Sequence, residues 1–201
     1  DDSGDVNTGM RTARELLLNV LDLGLPVGCE FLDPIIPQYI ADTVSWGAIG
    51  ARTTESQTHR QLASGLSMPI GFKNRTDGDV AVAVDAVRAA GAQHSFTGVE
   101  VTGGSAILRT TGNEDCHVIL RGGAEPNYDA DSIADTLGRL RDVDLPERVI
   151  VDASHANSGK DHERQPLVSR EIGRQVAEGN EAIVGVMLES FLVAGNQPIS
   201  D

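Results

Sequence analysis

GAIGARTTESQTHRQLASGLSMPIGFKNRTDG, residues 47–78, holds two apolar runs of strand length with one helix-length stretch between them. The first run breaks at Arg52 and the second at Lys73, each followed by Thr, Asn or Gly residues that punctuate turns. The middle segment, ESQTHRQLASGL, has room for a helix closed near Gly65. Such a unit predicts a parallel strand pair, because a crossover of this length is what returns the chain to the same edge of a sheet. Both cations then stand at the carboxyl ends of strands, where α/β proteins assemble their sites.

Working outward, the same reading recurs. VGCEFLD (27–33), CHVILRGG (116–123), RVIVDASHANSGK (148–160) and AIVGVMLES (182–190) are apolar runs that end on Glu30, Arg121, His155 and Glu189. Helical spacing is expected over RTARELLLNVLDLG (11–24), stopped by Gly24, and over PQYIADTVSWG (37–47). The same holds for VAVAVDAVRAAG (80–91), DADSIADTLGRLRDV (129–143) and QPLVSREIGRQVAEG (165–179). Around residues 95–117 the rhythm breaks into short β segments with Gly-Gly and Gly-Asn turns, which predicts an inserted β-hairpin. The tail FLVAGNQPISD has no periodicity. Six core strands, five of them reached by helix-length crossovers, form one domain over residues 1–201 with no repeat. A doubly wound sheet gathers ligands at one switch point, whereas polar residues ending all six strands fit a barrel mouth better. A (β/α)8 barrel needs eight strands and about 250 residues, so about two strands are wanting.

The chain carries 30 acidic against 16 basic residues, a formal net charge of -14, which opposes binding of nucleic acid by general attraction. With no apolar stretch near the ~20 residues of a membrane span, no membrane partner is expected. Two cysteines, Cys29 and Cys116, do not make a disulfide scaffold and read as packing residues in a reducing cytoplasm. The opening DDSGDVNTGM has no initiator Met and no signal-like segment, and reads as a processed, tagged or truncated chain.

In so acidic a chain, Arg52, Lys73 and Arg121 in register at strand ends point to an anionic ligand. Arg offers planar forks and Lys a point charge, a set suited to a phosphate and a carboxylate on one small molecule. Taken singly, each serves equally well as a surface ion-pair residue. His155 with Glu189 suits a divalent transition metal but gives two donors where a first shell wants more, and a core His–carboxylate hydrogen bond explains the pair as well. His59 is placed on an exposed helix face, His94 and His162 beside turns, and His117 at the start of a strand with a weak functional case. The chain has no P-loop, Rossmann fingerprint, paired CxxC or nucleophile elbow.

The strings GAIGARTTESQTHRQLASGLSMPIGFKNRTDG, CHVILRGGAEPNY, DASHANSGK and GVMLES closely resemble class I 3-deoxy-D-arabino-heptulosonate 7-phosphate (DAHP) synthases, from about Asp5 to about Gln197. The resemblance implies a (β/α)8 barrel that joins phosphoenolpyruvate to erythrose 4-phosphate with a divalent metal, Mn, Fe, Co or Zn, opening the shikimate pathway to aromatic amino acids. By motif it implies that Arg52 of GART, Lys73 of GFKN and Arg121 of LRGG hold phosphoenolpyruvate. Glu30 of EFLD is implied at the rim beside that substrate. His155 of SHANS and Glu189 of MLES are implied as metal ligands, with Lys73 and His155 as the catalytic residues.

Departures from the family pattern are a GPCS string with a metal-binding Cys, a KPRT string, and a SITDAC-like string with a metal-binding Asp, none of which occurs here. The chain thus resembles strands three to eight of the barrel, and this portion alone is expected to be inactive. The resemblance further implies a homo-oligomer, dimer or tetramer, at full length. It also implies feedback by Phe, Tyr or Trp near the EFLDPIIPQ turn and Ser67. Other readings are a related phosphoenolpyruvate-using sugar-phosphate synthase and a non-catalytic fragment that pairs with a complete subunit.

Overall fold

In a computed structural model, residues 3–100 and 102–195 are described. The chain runs α1 (Val6–Asp22), β1 (Gly28–Glu30), α2 (Pro37–Ile40), β2 (Trp46–Ile49), α3 (Gln57–Ala63), β3 (Ile70–Lys73) and α4 (Ala81–Gly91). It continues through β4 (Ser95–Val99), β5 (Ser105–Arg109), β6 (His117–Leu120), α5 (Ala130–Arg141), β7 (Val149–Asp152), α6 (Gln165–Ala177) and β8 (Ile183–Met187). Six strands form one parallel sheet in the order β1-β2-β3-β6-β7-β8, and β4 and β5 form a separate antiparallel pair. Strand order follows chain order, as it does in a barrel, and the six parallel strands make a partial (β/α)8 barrel.

The central strands are buried throughout: all four residues of β3 and all four of β6 are shielded from solvent. Sheet strands covered on both faces read as continuous apolar runs, which is why IGF and VIL are legible from sequence. The outer layer comes from helix faces spaced for it. Ala83, Val84, Ala86, Val87 and Ala90 of α4, Ile133 and Leu140 of α5, and Val168 and Ile172 of α6 enter one core. Helix ends follow the local chemistry. Asp129 Oδ1 accepts from Ser132 N–H at the start of α5, and Gly24, at φ 76°, closes the end of α1 by donating to Leu21 O.

The sheet is curled, as a contact between non-neighbouring strands shows. Trp46 opens β2 and His117 opens β6, with β3 between them, yet Trp46 Nε1–H donates to His117 Nε2 at 3.1 Å. Their rings stack with centroids 6.1 Å apart. Gly71 of β3 lies beneath, where a Cβ would come within 2.5 Å of Ile119 Cδ1 and 3.0 Å of His117 Nε2. The absence of a side chain at 71 is what allows the two aromatic rings to meet over the strand.

This pair makes stability depend on pH. Burial holds His117 below the ordinary imidazole value, and its Nε2 must stay unprotonated to accept from Trp46. The unfolded chain therefore takes up the proton first as pH falls. The neutral His117 contributes its stability above the unfolded value of about 6.5, and that contribution is lost as pH drops from there towards the lower folded value. For one proton the slope is at most about 1.4 kcal/mol per pH unit. Chemical unfolding followed by the emission of Trp46, the single tryptophan, should lose stability between pH 7.5 and 5 more steeply in the native chain than in His117→Gln. Equal slopes would refute a neutral His117.

Several expected boundaries shift. The helix expected over residues 37–47 ends early: α2 closes at Ile40, a single 3-10 turn spans Ala41–Thr43, and Trp46 and Gly47 belong to β2. The hairpin expected around 95–117 ends at Arg109, and His117 belongs to a barrel strand. Asn113 marks the break: its Nδ2 donates to the carbonyls of Ala63, Leu66 and Met68, fixing the hairpin's exit to the end of α3. His59 is buried, not exposed. Its Nδ1 meets Ser56 Oγ at 2.8 Å and its Nε2 meets Leu32 O at 3.2 Å, because the 31–36 loop folds over α3. Phe191 to Gly195 lack helix and strand, and the rest of the tail expected to lack periodicity, including Gln197, lies outside the described residues.

Candidate active site

Of the six residues expected to end strands, Glu30 and Lys73 do so. Arg121 stands one residue past β6, Glu189 two past β8, and Arg52 and His155 three past β2 and β7. Because parallel strands in register deliver their C-terminal loops to one end, all six lie on the same rim.

Four of them join through a residue that the sequence reading missed. Lys73 Nζ lies 3.8 Å from Glu30 Oε2 and 3.7 Å from Asp152 Oδ2. The same Asp152 oxygen holds His155 Nδ1 at 2.7 Å, and His155 Nε2 faces Glu189 Oε1 at 3.4 Å. Asp152 ends β7 and is fully buried, with its second oxygen taking Ser154 N–H and Oγ–H. Burial opposes its charge, but hydrogen bonds from His155 and Ser154, with the charge of Lys73, hold the carboxyl below its ordinary value. The line Glu30–Lys73–Asp152–His155–Glu189 thus crosses from one sheet edge to the other. The signal for Asp152 was its place at the end of the unbroken apolar run VIV.

His155 has φ 49°, a left-handed backbone uncommon outside glycine and a form of strain associated with functional sites. The turn is locked by Lys160 N–H donating to His155 O at 2.7 Å. Glu189 is held through its main chain, because the buried Gln165 accepts from Glu189 N–H at 3.0 Å and donates to Glu189 O at 2.8 Å. Gln165 is a second residue that sequence reasoning passed over, since it reads as an ordinary helix start.

Arg52 and Arg121 form no hydrogen bond or ion pair with those five side chains among the described residues. Arg52 is exposed, on a loop that presses on Glu30: a Cβ on Gly50 would lie 2.5 Å from Glu30 Oε1. Arg121 is 7% exposed, and its one side-chain hydrogen bond is a long 3.5 Å contact from Nη1 to Gly122 O. A nearly buried guanidinium without a carboxylate partner carries charge for something else to neutralise. Two buried cations and one exposed cation therefore stand on the same rim.

The two donors facing outward, His155 Nε2 and Glu189 Oε1, fit one divalent ion. Ligands at about 2.0–2.2 Å from a shared metal sit near this separation, and the Asp152 contact at Nδ1 leaves Nε2 free as the donor atom. No third His, Cys, Asp or Glu joins them in a cluster among the described residues. Neither thiol belongs here: burial pushes Cys116 up to about 12 and also raises Cys29.

A separate cavity of about 1080 Å³ lies outside the barrel, between α1, the 34–42 segment, α3 and the hairpin. Its lining includes Arg11, Pro37, Gln38, Leu62, Leu66 and Phe96. The expected EFLDPIIPQ turn contributes to it, while at the end of α3 Leu66, and not Ser67, lines the wall. Among the described residues no helix is long and apolar enough to cross a membrane.

The chain is similar to known enzymes over nearly its whole length. It is 57% identical over 199 residues to the Phe-sensitive phospho-2-dehydro-3-deoxyheptonate aldolase of Escherichia coli K12, covering 99% of this chain and 57% of that one. With the corresponding aldolase of Corynebacterium glutamicum it shares 58% over 194 residues, 96% of this chain and 52% of the relative. The solved structure of the aldolase from Francisella tularensis SCHU S4 superposes with a TM-score of 0.95 at 51% identity, covering all of this chain and 59% of that one. The chain spans about half the length of the curated relatives it matches. A family model, that of the DAHP synthetase I family, matches residues 2–201, and the chain belongs to that family.

Proposed function

We propose that this chain carries the phosphoenolpyruvate-holding part and two metal donors of a DAHP synthase. This transferase condenses phosphoenolpyruvate with erythrose 4-phosphate to DAHP and inorganic phosphate. The observation that carries the reading is Arg121, nearly buried and unmatched by a carboxylate, beside the buried Lys73. Residues 1–201 act as one domain, a single partial barrel.

In this reading Arg121 and Arg52 offer forks to the phosphate and carboxylate of phosphoenolpyruvate. Lys73, held by Glu30 and Asp152 at distances longer than direct hydrogen bonds, keeps N–H donors for the same ligand. Fixed charges aimed at one substrate orient its enol carbon and stabilise charge as the reaction proceeds. That carbon attacks the sugar aldehyde, water adds at the neighbouring carbon, and phosphate leaves. His155, its Nδ1 fixed on Asp152, and Glu189 would hold a divalent cation. When bound, such a cation supplies Lewis-acid polarisation of the aldehyde. Lys73 and His155 stand closest to the chemistry, and Glu30 restrains Lys73 from the rim.

The outer cavity, with its apolar walls and Arg11 and Gln38 at hand, suits an amino acid with an aromatic side chain as a feedback ligand, in keeping with the Phe-sensitive name of the Escherichia coli relative.

The test is release of inorganic phosphate from phosphoenolpyruvate across a panel of aldose phosphates, in the protein at the length of its relatives. Release with erythrose 4-phosphate above all others is expected. Preference for a pentose phosphate would assign a different synthase, and no release with any sugar would leave an anion-binding protein.

A further inference from the structure

The main chain around Arg121 is fixed far more tightly than its side chain. Arg121 N–H donates to Asn74 Oδ1 at 2.8 Å, and Arg121 O accepts from Ala156 N–H at 3.2 Å. On one side, Leu120 O accepts from Asn157 Nδ2. On the other, Gly122 N–H donates to Asn127 Oδ1 at 2.7 Å and Gly122 O accepts from Asn74 Nδ2 at 3.1 Å. Every main-chain polar atom from Leu120 O to Gly122 O is thus engaged, while the guanidinium keeps one contact at 3.5 Å. Gly122 has φ 73°, and a Cβ there would come within 2.8 Å of Asn157 N, so the turn admits little else.

Asn127 joins the parts of this bracket. Its Nδ2 donates to Asn74 Oδ1 at 3.2 Å, and its main-chain N–H donates to Asn157 Oδ1 at 2.8 Å. Asn74 follows Lys73, and Asn157 lies two residues past His155 and donates to Asp152 O at 2.8 Å. Asn74 and Asn157 are fully buried, and Asn127 is half-buried. The Asn127 carboxamide therefore ties the Arg121 turn to the loop that carries Lys73, while its main-chain N–H reaches the loop that carries His155. A fold needing only satisfied polar groups could bury apolar residues here, whereas a buried amide network fixes direction.

We infer that Asn127 is a positioning residue: with its carboxamide bridging Gly122 N–H and Asn74 Oδ1, it sets the Arg121 turn so that the unpaired guanidinium meets a phosphate-bearing anion already aligned. This rests on the proposed phosphoenolpyruvate site and deepens it. Asn127 touches no substrate and acts through Arg121.

The test is equilibrium titration of the chain with phosphoenolpyruvate and, separately, with inorganic phosphate, for the native protein, Asn127→Ala, Arg121→Ala and the double variant. Asn127→Ala is expected to weaken binding about ten-fold, the loss of about one hydrogen-bond energy. In the Arg121→Ala background it is expected to change affinity less than two-fold, because the residue it aligns is gone. A merely structural asparagine would lower affinity equally in both backgrounds, and that additivity overturns the inference, as does native affinity in Asn127→Ala. Should Asn127→Ala fail to fold, Asn127→Ser, too short to bridge both partners, is read by the same two comparisons. Native binding of phosphate but not phosphoenolpyruvate would sink the proposed substrate while Asn127 is still judged on phosphate. Native binding of neither anion overturns both.

Discussion

Arg121→Ala is expected to weaken phosphoenolpyruvate binding by about ten- to a hundred-fold, the loss of a charge-assisted contact of about 1.5–3 kcal/mol. The same substitution is expected to leave thermal stability unchanged or raised. The two expectations come from one observation. Arg121 is 7% exposed, with no carboxylate partner among the described residues, so its charge is desolvated in the free protein without compensation. An arginine kept for the fold would behave in the opposite way, losing stability and leaving ligand affinity alone. Arg121→Lys should fall between, since an ammonium restores the charge but not the planar fork. Titration calorimetry and thermal melts on the same samples decide it. Unaltered phosphoenolpyruvate saturation in Arg121→Ala would remove this residue from the site.

The contrast between Arg121 and its surroundings also marks the limit of what the sequence discloses. Strand order was legible because β3 and β6 are covered on both faces, which forces unbroken apolar runs, and because each run is followed by turn residues. The place of the three cations on one rim was legible because each follows an apolar run at a strand's carboxyl end. Asp152 was not, since the run through RVIVDASH was read as ending on His155, whereas the ladder with β8 ends at Asp152, where the unbroken apolar stretch VIV stops. The asparagine bracket was hidden for a related reason. Asn in a loop after a strand reads as turn chemistry, and Asn74, Asn127 and Asn157 are 30 to 53 positions apart in their mutual contacts. His59 was misplaced because helical spacing reports which residues share a face of α3, not that the 31–36 loop would cover that face.

Asp152→Asn should produce the largest loss of stability of any substitution at the rim, about 3–5 kcal/mol by unfolding in denaturant. The amide keeps the size and shape of the carboxyl, so packing is not the cause. What disappears is the charge facing Lys73 at 3.7 Å, which leaves that buried ammonium with Glu30 at 3.8 Å, a carboxylate 41% exposed to solvent. A second effect follows at the proposed metal donors. The carboxylate accepts from Nδ1 of His155 and so leaves the Nε2 lone pair available to a cation lying between it and Glu189. An amide N–H₂ turned to Nδ1 favours the other tautomer, which presents an N–H where a cation should bind. Affinity for Mn or Co should therefore fall about ten- to a hundred-fold, the usual cost of removing a partner behind a metal-binding histidine. The two effects separate in a variant that removes Lys73 as well. In Lys73→Met/Asp152→Asn much of the stability returns, because no ammonium is left buried alone, while metal affinity stays low. Recovery of both together would mean that Asp152 serves only the fold, and recovery of neither would mean that Lys73 is not its electrostatic partner.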